Sequence, residues 1–406
     1  MGELAIGMYV ERLDRPWTET RFLFQGFFIR DQEDLEGLRR VCEYVFVDPM
    51  RREGVDEPKQ SPPARPIPAA PTIQSITPPD TRGQPKPRYA YEVSAEKEIK
   101  AAKNVHEEAR TTTKLIFSEL LQSGRLNVEL AKSTVEPMMN SILRNPNALI
   151  WLSRMQEHDN YLFKHALNTC IWGLAFARHL GLAVDEIFEI GLGCMLFDVG
   201  KTQLPLSLLL KPGDLSPEDW EQMKSHVPKG LAMLRDMDGI TPRIMDLVRN
   251  HHERHDGSGY PNGLKGNDIP TVGKIAGIVD CYDALTSFRP HAGQLPPHEA
   301  LREMFGWRGT LFQPEVVEQF MQVVGVFPTG SLIELNTGAV AVVIAQNNTR
   351  LRPRIVMLLD EEKRRLPYAE VVDLLYDNPW SDTAQFWVDR CLQPGSYGIQ
   401  PQQLQL

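Results

Sequence analysis

Disulfides, membrane spans and basic tracts are all missing from this 406-residue chain. Its five cysteines, Cys42, Cys170, Cys194, Cys281 and Cys391, are scattered without a CxxC pair. Four sit in apolar segments, which reads as buried reduced thiols rather than bridges or a thiolate metal site. No stretch approaches about 18 uncharged apolar residues, and the opening MGELAIGMYVERLDRPW lacks a basic segment followed by an apolar run. A cytoplasmic chain without membrane insertion is therefore expected. Long Lys or Arg runs are also absent, and the formal net charge is -9. That balance argues against a protein that coats DNA or a membrane surface through charge. A small anionic ligand stays compatible, because its site needs only a few local cations.

The apolar content that is present, 42% of residues, suffices for more than one buried core. Residues 1–52 read as a small α+β domain, with GMYVERL, RFLFQGFFI and YVFVDP as strands and DQEDLEGLRRVC as a helix. Residues 53–92 read as a proline-rich linker, whose PPARPIPAAP and TPPD segments favour extended backbone and hold too few apolar residues for a core. A helical connector is expected over 93–146, with one helix ending in KLIFSELLQSG and another over 128–143. Residues 147–327 carry helical periodicity broken by Gly and Pro clusters, in segments 161–180, 185–197, 217–237, 242–252 and 270–287, and predict an all-helical domain. From position 328 the pattern alternates around NTG and NNT turns, predicting a small β module over 328–392 and a loose tail over 393–406. The expected fold class is multidomain and mainly α.

Four of the ten histidines stand where a helical bundle can focus them: His165 in FKHALN, His226 in MKSHVPKG, and His251 with His252 in RNHHERHDG. Asp198 in LFDVGK and Asp280 in GIVDCYDAL place carboxylates late in apolar helices. There an ionised group is costly unless a cation or hydrogen bonds compensate it. Imidazole with carboxylate suits Fe, Mn, Zn or Ni, whereas an all-oxygen set suits Mg or Ca. A carboxylate can bridge two such ions, and a pair of ions can acidify a shared water and neutralise a phosphate oxygen, which is the chemistry of phosphodiester hydrolysis. The segment DGSGYPNGLKGNDIP follows the histidine pair directly. Beside a metal cluster its glycines let backbone N–H groups approach a phosphate, and Tyr260 can lie against a base. Lys201 and Arg289 supply cations, one a point charge and the other a fork. His255 is expected to face solvent, and Glu253 to support the ligands from behind.

Through DNYLFKHALN, FDVGKTQLPLSLLLKPGDLSPEDWEQMKSHVPKG, HHERHDGSGYPNGLKGNDIP and DCYDALTSFRP, the region 147–327 resembles the HD-GYP family. This is a branch of the HD phosphohydrolases that degrades the bacterial second messenger cyclic di-GMP. The flanks are similar to those of one HD-GYP subgroup, with an uncharacterised N-terminal domain and a small β module. The resemblance implies one or two divalent ions, Fe or Mn first and Zn or Ni next, at His165, Asp198, His226, His251, His252 and Asp280. It implies that Asp198 and Lys201 serve catalysis and that Lys201 and Arg289 contact phosphate. It also implies that Gly257, Gly259, Tyr260 and Pro261 form a substrate-binding loop. The implied reaction opens cyclic di-GMP to linear pGpG, which some members carry on to GMP.

The departure is Phe197, which stands where the family's name-giving histidine precedes Asp198. A phenyl ring donates no lone pair. By the resemblance, the ion at His226, His251, His252 and Asp198 keeps its set, and the other keeps only His165, Asp198 and Asp280. Some members hold a third ion with a Glu four residues before the first histidine; that place is Tyr161 here, so a three-ion site is not expected. The HAGQ that follows RP is a further departure. Two readings stay open: a cyclic di-GMP phosphodiesterase weakened by Phe197, and a catalytically silent receptor or adaptor that binds cyclic di-GMP or a GGDEF-type diguanylate cyclase. A homo-oligomer is compatible with either.

Overall fold

The computed structural model describes residues 4–13, 27–29, 32–52, 89–155, 161–287, 294–347, 351–376 and 386–399. The chain divides into two units, residues 1–82 and 83–406. Most of the expected linker, residues 53–88, lies outside the described residues, as does 400–406 of the expected tail.

In the first unit, β1 (Met8–Leu13), β2 (Phe27–Phe28) and β3 (Val45–Arg52) make an antiparallel sheet in the order β2-β1-β3. Helix α1 (Gln32–Val41) carries Leu35 and Leu38 three residues apart on one face. Both are buried with Val10, Leu13, Ile29 and Cys42, which gives this unit its own core. The strand expected over 21–29 is described only at 27–29.

The second unit is mainly helical. Helix α2 (Ala95–Ser123) begins at Ser94, whose hydroxyl accepts the Lys97 amide, and stops at Gly124 in the left-handed region. It packs on α3 (Val128–Arg144) and α4 (Pro146–Arg154). The buried Glu98 of α2 meets the Arg144 guanidinium and accepts from Ser141, both at 2.7 Å, so its charge is partnered rather than stranded. The centre of the unit is formed by α5 (Tyr161–His179), α6 (Val184–Leu196), α10 (Pro242–Asn250) and α11 (Thr271–Thr286). Between α6 and α10 come α7 (Leu206–Leu209), α8 (Pro217–Lys224) and α9 (His226–Leu234). Helices α12 (Pro297–Gly306) and α13 (Pro314–Val324) close the bundle. No described helix is long and apolar enough to cross a membrane.

The helix expected over 217–237 is two helices, α8 and α9. Pro228 has no amide hydrogen for the Lys224 carbonyl, and its ring would collide with that carbonyl in a continuous helix. The chain therefore stops at Lys224 and restarts at His226.

Strands β4 (Leu332–Leu335), β5 (Val340–Ala345), β6 (Arg354–Leu359), β7 (Arg365–Asp373) and β8 (Val388–Cys391) form an antiparallel sheet in the order β7-β6-β5-β4-β8. The sequence pattern predicts one buried face, yet β4 and β5 are buried on both. One face packs Ile333, Ala341, Val343 and Ile355 against Val326 and Phe327, and the other packs Leu332, Val340 and Leu359 against Ile399. Residues 393–399, read from sequence as loose, thus return to cover the sheet. The sheet is also tied to the helices, because Asn147 of α4 accepts the Gln346 amide at 2.9 Å.

Candidate metal centre

Asp198 lies just past the end of α6 and enters a 3-10 turn over Val199–Gln203 that packs on α9. The approach is so close that a Cβ at Gly200 would lie 1.9 Å from the His226 carbonyl oxygen and 2.5 Å from the Gly230 nitrogen. Only glycine fits there, and its presence sets Asp198 beside His226. Helix α10 ends at Asn250, so the pair His251–His252 leaves the helix at its C-terminal end. His165 comes from α5, and Asp280 with Asp283 from α11.

Two groups of donors result, joined by Asp198. In the first, His226 Nδ1 donates to the Met223 carbonyl and His251 Nδ1 to the Val248 carbonyl, each at 2.7 Å. A carbonyl can only accept, so in the neutral rings both Nε2 atoms carry lone pairs. Those atoms are 3.2 Å apart, and they lie 3.2 and 3.6 Å from Asp198 Oδ1. Three acceptors therefore converge, and among the described residues no hydrogen bond reaches the buried Asp198 Oδ1. His252 completes this group.

In the second group, His165 Nδ1 donates to Asp283 Oδ2 at 2.6 Å, which turns Nε2 towards Asp198 Oδ2 at 3.2 Å and Asp280 Oδ1 at 3.3 Å. Buried acceptors set against one another in this way favour a cation among them, and Lys201 already supplies one at Asp198 Oδ2. The donor chemistry thus fits divalent metal in both groups, with three imidazoles and one carboxylate in the first and one imidazole and two carboxylates in the second.

The electrostatics agree with that fit. Burial works against charge on Asp198, but the Lys201 ammonium, 2.5 Å from Oδ2, draws its carboxyl well below the ordinary carboxylate range. Burial lowers His226 and, helped by its imidazole neighbours, lowers His252 strongly. Both rings are thereby kept neutral and able to donate a lone pair.

Phe197 is fully buried between the two groups. Its ring stacks on His251 with centroids 4.6 Å apart and planes 19° apart, and it meets the His165 ring edge-on at 5.7 Å. It lies among the candidate ligands and supplies no donor.

The glycine-rich loop is fastened from below by Glu253, which accepts the amides of Asn262 and Leu264 at 2.8 Å each. These bonds brace the loop, whereas the sequence predicts a place for Glu253 behind the metal ligands. Gly257 has a positive φ and the Tyr260–Pro261 bond is cis. A Cβ on Gly259 would lie 2.3 Å from the Arg254 nitrogen, so that glycine lets the loop lie on the turn carrying the histidines. Tyr260 stacks on His252 at 4.5 Å and 26°, which takes one face of the ring expected to meet a base. His255 is half-buried instead of solvent-facing, because its amide and that of Asp256 bond to the carbonyls of Leu311 and Thr310. Arg289 lies outside the described residues, as does the side chain of Tyr161.

Sequence reasoning passed over Asp283. Its spacing of three from Asp280 puts both carboxylates on one face of α11, and that was the available signal. Asn168 and Ser287 also donate to it, at 2.8 and 3.1 Å. Such a carboxylate fixes a histidine's tautomer and raises its basicity. Asp283→Asn is expected to weaken ion binding on the His165 side by about 10- to 100-fold, read by calorimetric titration with Mn(II). An unchanged isotherm would show that the tautomer is set elsewhere.

A helical bundle that gathers four imidazoles and one further carboxylate around one shared aspartate has the build of an HD-type phosphohydrolase. Residues 151–316 match the HD domain family, and residues 1–131 match a domain of unknown function, DUF3391. Over 375 residues, 92% of this chain and 87% of the other, the protein is 32% identical to the cyclic di-GMP phosphodiesterase PA4108 of Pseudomonas aeruginosa. It is 41% identical over 148 residues to a cyclic di-GMP phosphodiesterase of Thermotoga maritima, covering 36% of this chain and 40% of that one. With the cyclic di-GMP phosphodiesterase response regulator RpfG of Xanthomonas campestris it shares 37% identity over 163 residues, 38% of this chain and 43% of that one. The chain belongs to the HD-GYP family of phosphodiesterases.

Proposed function

We propose that this protein hydrolyses cyclic di-GMP to linear pGpG. One ion would be held by Asp198, His226, His251 and His252, and a second, more weakly, by His165, Asp198 and Asp280. The observation that carries the reading is the convergence of acceptors on Asp198, an arrangement that divalent ions would satisfy. The relatives named as cyclic di-GMP phosphodiesterases support the substrate. Divalent ions of the Fe or Mn type, when bound, neutralise phosphate oxygens and acidify water.

This chain's residues supply the frame. Asp198 faces the two groups with its two oxygens, so it fixes their separation. Lys201, beside Asp198, brings a cation within reach of a phosphate. The loop with Gly257, Gly259, Tyr260 and Pro261, braced by Glu253, forms the wall against which the dinucleotide lies. Arg289 is assigned to phosphate by its motif. Protein reconstituted with Mn(II) or Fe(II) should convert cyclic di-GMP to pGpG, followed by chromatography, and the same trace reports whether GMP appears later. Absence of product with ion demonstrably bound would remove the reading.

A second reading draws on Phe197 and Lys201 together. The ring gives no donor, and the ammonium already neutralises the Asp198 oxygen that faces His165. That arrangement suits a silent receptor for cyclic di-GMP or a docking partner for a GGDEF-type cyclase. Ion bound, nucleotide bound and no turnover is the outcome that selects it.

A further inference from the structure

We propose that Phe197 is a positioning residue for the ion at Asp198, His226, His251 and His252, acting through a column of four rings in contact, stacked at its two ends and tilted in the middle. The proposal rests on the functional reading of that group as an ion site. The column runs Phe197, His251, His252, Tyr260, with successive centroids 4.6, 4.1 and 4.5 Å apart. It begins at a helix end, passes through two ligands and finishes in the glycine-rich loop.

The need for such a column lies in what else holds the two imidazoles. Among the described residues the His251 ring donates one hydrogen bond, from Nδ1 to the Val248 carbonyl, and its Nε2 lies 3.2 Å from His226 Nε2. That bond fixes the tautomer but leaves the ring free to rock about its axis. His252 has less: no hydrogen bond from a described residue reaches its ring, and its polar neighbour is Asp280 Oδ2 at 3.7 Å. The plane of His252 is therefore set by rings, with His251 on one side, Tyr260 on another and the His226 ring edge-on at 5.0 Å. The two outer pairs are stacked, with planes 19° and 26° apart, and the central histidine pair is tilted by 45°. The outer stacking is favourable between flat π systems and is lost when Phe197 or Tyr260 is replaced by an alkyl group of similar volume.

Phe197 is the fixed end of the column. It is fully buried and adjoins the last turn of α6, so its ring cannot drift from His251. At the other end the Tyr260 backbone is tied down, its amide donating to the His252 carbonyl at 3.2 Å. The two ends clamp the imidazole pair between them. Phe197 thus acts in opposite directions on the two groups: it withholds a donor on the His165 side and stiffens the ligands on the other. The two ion affinities are driven apart.

The test uses the full chain and Mn(II) calorimetry on Phe197→Leu, Tyr260→Leu and Tyr260→Phe, with thermal unfolding of each metal-free protein as the control for folding. Phe197→Leu and Tyr260→Leu should each lower affinity for the tighter ion by about tenfold, while Tyr260→Phe keeps it. The double leucine variant should lose less than the product of the two single losses, because the rings act as one column. A tight-ion affinity unchanged in a folded Phe197→Leu protein would overturn the proposal. Should that variant fail to fold, an unchanged affinity in Tyr260→Leu would do the same. A wild-type protein that binds no Mn(II) would instead overturn the functional reading beneath it.

Discussion

Asp198→Asn is expected to lower turnover by about a thousandfold or more and to strip ion from both groups. The carboxylate is the one donor the groups share, with Oδ1 3.2 Å from His226 Nε2 and Oδ2 3.2 Å from His165 Nε2. A metal ion contributes several kcal/mol to a phosphoryl-transfer transition state, and each 1.36 kcal/mol is a factor of ten, so losing both ions reaches about 10³. The metal-free variant should be somewhat less stable than the metal-free parent, because the Lys201 ammonium loses its contact with a carboxylate. An amide N–H that can donate to an imidazole lone pair offsets part of that loss. Metal content measured on the purified variant, beside its melting temperature, separates this from simple unfolding. Retained ion with lost turnover would move Asp198 from ligand to proton carrier.

Phe197→His is expected to act in the other direction, raising affinity for the second ion by about 10- to 100-fold and turnover with it. The phenyl ring already lies 5.7 Å from the His165 ring, so an imidazole at its position sits within the second group and adds the donor that group lacks. Being flat, it can still stack on His251, so the tighter ion need not suffer. The measurement is metal stoichiometry together with the initial rate of cyclic di-GMP hydrolysis. If stoichiometry rises and rate does not, the silent-receptor reading gains; if neither moves, the residue is not where the donor is missing.

The fold class was legible because Gly and Pro clusters cut the apolar periodicity where helices do end. Reading failed where periodicity ran through a break, as at Pro228, where the apolar spacing of 217–237 continues although the backbone cannot. It failed also where a lone residue carries the packing: nothing around Ile399 marks it as the cover of a sheet face.

At the site, the six candidate ligands are indeed brought together, because each stands at an apolar helix end or on an apolar face where a polar group needs a reason to be. Their supports were harder to see. Asp283 looks in sequence like any polar residue on a helix, and its role appears only once α5 is packed against α11. Loop composition indicated Tyr260 as a contact residue but could not say that one face of its ring was already taken by a ligand.

The break before His226 has a mechanical side. Helix α8 has no buried residue, and because the chain restarts at His226, α8 does not carry the imidazole as a continuous helix would. Helix α8 meets that ring through the Met223 carbonyl and its 2.7 Å hydrogen bond, and it meets the glycine-rich loop through Lys224, whose ammonium lies 5.9 Å from the centre of the Tyr260 ring. A helix with no buried residue is thereby joined to the candidate centre at two points, an imidazole and a loop tyrosine.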